Sequence, residues 1–152
     1  MTIIAPRGNV IAVQTEMGFD RTLESVRAEL LSRGFSILFE VDFRRELDSK
    51  IGISASPCVV LILWRAFEAY QALLSDPNGA LMVPFSLAVH GNGSATVVSV
   101  LRQPFLAPEA SLGIHVLGQD LNREMREVLL HLATHERQNK QRTLNCISAA
   151  RK

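Results

Sequence analysis

The chain has 152 residues, 47% of them hydrophobic and 20% charged, with a formal net charge of +1. That length and apolar share suit one globular domain and exclude a wholly disordered or low-complexity chain. The near-neutral balance gives no general attraction to nucleic acid or to an acidic partner.

Asn9 to Thr15 is short and rich in β-branched residues, which predicts a strand. Gly18-Phe19 breaks it, and Asp20 stands where a helix N-cap is expected, its carboxylate able to accept from free N–H groups of the first turn. Leu23, Val26, Leu30 and Leu31 then recur at helical spacing, and Arg33-Gly34 closes the helix with a cation and a C′ glycine. Phe35 to Asp42 reads as a strand with one apolar face, because Phe35, Ile37, Phe39 and Val41 alternate with the residues between them. Arg44 to Lys50 predicts a charged helical turn or two, ended by Gly52.

Cys58 to Trp64 is uniformly apolar, the pattern of a strand buried on both faces. Ala66 to Leu74 predicts a helix stopped by Asp76-Pro77-Asn78-Gly79. Leu81 to His90 and Ser94 to Leu101 flank Gly91-Asn92-Gly93 as a hairpin, with pairing from about Phe85 because Pro84 cannot donate. Gln103 to Gly113 reads as a loop. The last helix, about Gly118 to Gln138, carries Leu121, Met125, Val128, Leu129 and Leu132 on one stripe.

This order predicts an α+β domain. The expected form is a single-layer, mostly antiparallel sheet of about five strands, with helices on one face, a ferredoxin-like character and a C-terminal amphipathic helix. A doubly wound fold fits less well, since no Gly-rich phosphate loop follows the first strand. Residues 1–136 are assigned to the domain. Residues 137–152 hold five cations and no acid and are expected to form a frayed or disordered basic tail. Two distant cysteines, Cys58 and Cys146, read as reduced thiols, and the opening residues hold no signal-peptide core. The longest apolar run is far short of the roughly 20 residues a membrane span needs. A cytoplasmic location without membrane association is therefore expected.

Glu127, His131 and His135 stack at i, i+4 and i+8, so two imidazoles and a carboxylate could face a metal; the bland alternative is a solvated helix flank. His90 and His115 stand alone, each a conceivable axial ligand for haem or zinc. Cys58 lacks an adjacent cation or helix N-terminus to activate it, so structural burial is the better reading. Trp64 and Arg65 end the apolar strand, and with Pro84 and Phe85 they could line an apolar cleft or a dimer seam. The basic tail has no interleaved aromatics, so nucleic acid is not an expected partner.

From Gly18 to Leu101 the punctuation resembles that of the bacterial and archaeal domain of unknown function 302 family. The matching pieces are Gly18-Phe19-Asp20, Gly34-Phe35, Asp76-Pro77, Gly79 and Met82-Val83-Pro84, with Pro104 after the last strand. The resemblance implies a compact α+β fold and a homodimer, and no established activity. Many members carry a Cys-Asn-Pro triplet where this chain has Trp64, Arg65 and Ala66, and a second cysteine where it has Phe85. Two aromatics in place of two cysteines suit packing or an apolar ligand better than redox work.

The resulting expectation is a non-enzymatic, homodimeric cytoplasmic domain that binds a small apolar ligand or a partner protein. Its ligand-binding residues would be Trp64, Arg65, Pro84 and Phe85, and no cofactor is expected. The alternative is a metal- or haem-binding protein or small enzyme using His131 and His135, or His90 and His115.

Overall fold

The computed structural model describes the backbone of residues 2–4, 8–81, 83–102 and 112–149, and the side chains of residues 8–79, 81, 83–102 and 112–134. Six strands form one sheet: β1 Thr2–Ile4, β2 Val10–Thr15, β3 Ser36–Asp42, β4 Cys58–Trp64, β5 Phe85–Asn92 and β6 Ala95–Leu101. Their order is β1-β2-β6-β5-β4-β3, and every neighbouring pair is antiparallel. The α-helices are α1 Phe19–Ser32, α2 Phe43–Ile51, α3 Ala66–Ser75 and α4 Leu112–Ala149, with a 3-10 turn at Pro77–Leu81 after α3.

The α+β prediction holds, with one strand more than the sequence suggested. β1 is only three residues long, too short for a hydrophobic period to register. Cross-strand partners share a face. Val13, Val98, Val89 and Val59 therefore line up across the sheet, as do Val100, Leu87 and Leu61. These residues are buried in one core with Leu23, Val26 and Leu30 of α1 and with Ile114, Leu117, Leu121, Met125, Val128, Leu129 and Leu132 of α4. The stripe predicted on the last helix is thus the one that packs.

β4 corrects one expectation. Val59, Leu61 and Leu63 are buried, while Cys58, Val60, Ile62 and Trp64 on the other face are half-buried. β3 corrects another. A bulge between Ile37 and Phe39 shifts the register, so Glu40 pairs opposite Leu61 while Phe39 and Val41 lie opposite Ile62 and Val60. The extra residue breaks the period of two, and Phe39 is left exposed.

Asp20 is not the cap of α1. The helix begins two residues earlier than expected, at Phe19, with Gly18 as N-cap and no side-chain cap, and Asp20 sits in the first turn. The end is as expected: Gly34 has φ +78°, a conformation that glycine adopts without cost. Asp42 caps α2, its carboxylate accepting from the Arg45 N–H at 3.1 Å. The hairpin turn is two residues rather than three, Gly93-Ser94, with Gly93 at φ +62°. α4 is longer than predicted at both ends, and its helical backbone runs to Ala149 across most of the stretch read from sequence as a tail.

Candidate functional site

At the end of β4, Trp64 and Arg65 lead into α3. Arg65 Nε pairs with Glu68 Oε1 at 3.1 Å, one helical turn on. Its Nη1 donates to Glu124 of α4. The guanidinium also lies over the Phe35 ring, 4.7 Å from the centroid. Phe35 in turn meets Phe85 edge to face, with ring centroids 5.7 Å apart and planes at 85°. One cation therefore ties together β4, α3, α4 and the residue that precedes β3. The second oxygen of Glu68 is buried with no hydrogen-bond partner among the described residues.

Of the four residues predicted to line a cleft, Arg65 and Phe85 are brought together, through Phe35. Phe85 is buried in the core opposite Leu63. Trp64, next along the strand, falls by alternation on the other face and is half-buried at the margin of the core. Pro84 is exposed just before β5. Phe35, Glu68 and Glu124 complete this cluster. The spacing of Arg65 and Glu68 on a helix could have suggested their contact. Nothing local in the sequence marks Glu124.

The predicted histidine face has a different set of partners. His131 Nδ1 lies 2.6 Å from Glu29 Oε2 on α1. The other oxygen of Glu29 accepts from Arg33 Nε at 2.5 Å, and Arg33 Nη1 reaches Glu127 at 3.3 Å. The Glu29 carboxylate raises the Arg33 pKa above its ordinary value, against the opposing effect of burial. Glu29, Arg33, Glu127 and His131 thus form a chain of charges that clasps α1 to α4. The His135 side chain lies outside the described residues. Among the described residues, no three His, Cys, Asp or Glu side chains gather so as to hold a metal ion.

His90 stands directly opposite Cys58 across β4 and β5, a juxtaposition the sequence reading missed. Burial, and secondarily the Asp42 carboxylate, push the Cys58 thiol pKa up, so the protonated thiol is favoured. His115 sits half-buried in the first turns of α4. A half-open concavity of about 250 Å³ lies where α1 begins, lined by residues including Gly18, Phe19, Ser56, Pro57, Gly91 and Thr96. The Thr96 hydroxyl there already donates to the Met17 carbonyl at 2.8 Å.

α3 carries its side chains in an unexpected sense. Ala72 is buried and Glu68 and Ala69 are half-buried, whereas Phe67, Tyr70, Leu73 and Leu74 are exposed. The 3-10 turn comes very close to this inner face at Ala72. A Cβ added to Gly79 would stand 2.3 Å from the Ala72 carbonyl oxygen.

These features define a single-sheet α+β domain with its core between one sheet face and the long helices. The chain belongs to the family described as Domain of unknown function DUF302, whose sequence pattern it matches over residues 11–132. It is also similar in fold to the crystal structure of an uncharacterised DUF302 protein from Bacillus stearothermophilus. That likeness has a TM-score of 0.72 and 18% identity, and covers 81% of this chain and 97% of the other. No curated protein matches the chain. No helix among the described residues is long and apolar enough to cross a membrane.

Proposed function

We propose that this protein is a non-enzymatic, homodimeric cytoplasmic domain that acts by binding a partner protein. The observation that carries the reading is the outward face of α3, where four large apolar side chains meet solvent while Glu68, Ala69 and Ala72 face inward. An amphipathic helix on a self-sufficient domain points its large apolar residues at the core. A contiguous apolar surface of this kind marks an interaction site. The binding surface is placed on α3 rather than on Trp64, Arg65, Pro84 and Phe85, because Arg65 and Phe85 already make their contacts within the fold. The free thiol of Cys58 suits a reducing compartment.

Sedimentation equilibrium tests the assembly. The expected species has twice the chain mass of 16.8 kDa. A single chain-mass species persisting up to about 100 µM, weaker than specific assemblies ordinarily are, would refute it.

A further inference from the structure

We infer that His131 and His135 form a two-imidazole site on α4 for a divalent transition-metal ion of the zinc, nickel and copper class. This goes beyond partner binding and uses a predicted constellation that the proposed function leaves aside. The two positions are four apart, and the helical backbone of α4 runs unbroken through both, so they are neighbours on one helix surface. The His131 side chain is 46% exposed, open enough for an ion to reach.

What raises the pair above a solvated flank is the partner of His131. Its Nδ1 lies 2.6 Å from Glu29, a carboxylate whose side chain is only 11% exposed. A metal-binding histidine almost always gives its other ring nitrogen to a carboxylate, a carbonyl or water, which fixes the ring and makes the coordinating nitrogen more basic. Glu29 is itself fixed, because Arg33 Nε donates to its other oxygen. The ring of His131 is thus set before an ion arrives, with Nε2 as the coordinating atom.

The neighbouring contacts narrow the class of ion. Glu127, one turn before His131, is drawn to Arg33 at 3.3 Å, and the Thr134 hydroxyl donates to the Leu130 and His131 carbonyls at 3.0 Å. Both are engaged elsewhere, so water fills the remaining coordination positions. Imidazole and water suit zinc, nickel or copper, whereas calcium and magnesium take oxygen ligands throughout. Two carboxylates and one guanidinium, from Glu29, Glu127 and Arg33, leave one net negative charge beside the site, which favours a cation.

The test is calorimetric titration of zinc chloride into the full chain carrying Cys146→Ser, which removes a competing thiol. Saturable binding is expected near neutral pH and should be lost in mild acid, where protons compete for the imidazoles. His131→Ala and His135→Ala should each weaken it about 10-fold or more, since each leaves a single imidazole, while His115→Ala should leave it unchanged. Glu29→Gln should weaken it about 10-fold or more. Circular dichroism checks that each variant is folded. Long-range proton–nitrogen spectra should place the zinc on Nε2 of His131 with the proton kept on Nδ1, a signature that a merely structural ion pair would not produce. Unchanged affinity in either histidine variant, or no saturable binding up to about 1 mM zinc, overturns the site. Zinc on Nδ1 overturns the role given to Glu29.

Discussion

Replacing Arg65 with methionine tests the clasp at the end of β4. Methionine keeps much of the apolar stem and removes the charge. Arg65, Glu68 and Glu124 side chains are 22%, 14% and 30% exposed, so all three are shielded by more than two thirds. Removing one partner of a fully buried pair costs ~3–5 kcal/mol, and an exposed pair is worth only ~0–1 kcal/mol. This cluster falls between, and the lost stacking on Phe35 adds about 0.5–1 kcal/mol. The expected loss is about 2–4 kcal/mol, a fall in Tm of roughly 5–15 °C for a chain of this size. Urea unfolding followed by circular dichroism, at fixed protein concentration, should show a lower midpoint with an unchanged slope. Arg65→Lys keeps the charge but cannot fork between two carboxylates, so it should recover only part of the loss. A cost below about 0.5 kcal/mol for the methionine variant would place Arg65 among ordinary surface residues and refute the reasoning.

Leu129→Ala should cost ~2–5 kcal/mol, because Leu129 is fully buried between α4 and the sheet; denaturant melts measure it directly. Gly79→Ala should cost about 1–3 kcal/mol by forcing the 3-10 turn away from Ala72, and unchanged stability would show that the close approach relaxes freely. Glu40→Gln should change stability by less than about 1 kcal/mol at low salt, since its ion pair with Arg27 is about one third exposed. In a Cys146→Ser background, the reaction of Cys58 with a disulfide reagent should be slow at neutral pH. Its rate should climb at a pH above that of a free cysteine, because only the thiolate attacks and burial favours the thiol. A rate already at its plateau near pH 7 would contradict that environment.

Much of the fold was legible because the signals were local. The apolar run of β4 falls on the predicted residues, and Pro84 marks the start of β5 as expected. The α4 stripe from Leu121 to Leu132 packs as its spacing requires. What the sequence hid was relational. The bulge in β3 is a slip against a partner strand, and no count along β3 alone reveals it. The sense of α3 shows only in the fold, where Gly79 packs against Ala72 and Glu68 turns to Arg65, so periodicity identifies a helix but not its outward side. The contacts around Arg65 were only partly legible. Arg65 and Phe85 were singled out as lining residues, yet their meeting runs through Phe35 and Glu124, contributed by distant parts of the chain. The histidine stripe was correctly placed on a helix, but its partner Glu29 lies 102 residues away.

The two borders of the sheet also bear on what the protein can become when concentrated. One border, β1, presents only three residues, and the other, β3, is interrupted by its bulge and carries Glu40 and Asp42. Neither offers the long, flat template on which strands add without end. Growth by strand addition is therefore stopped at both sides. The apolar side chains left exposed on α3 belong to a helix and add no strand edge.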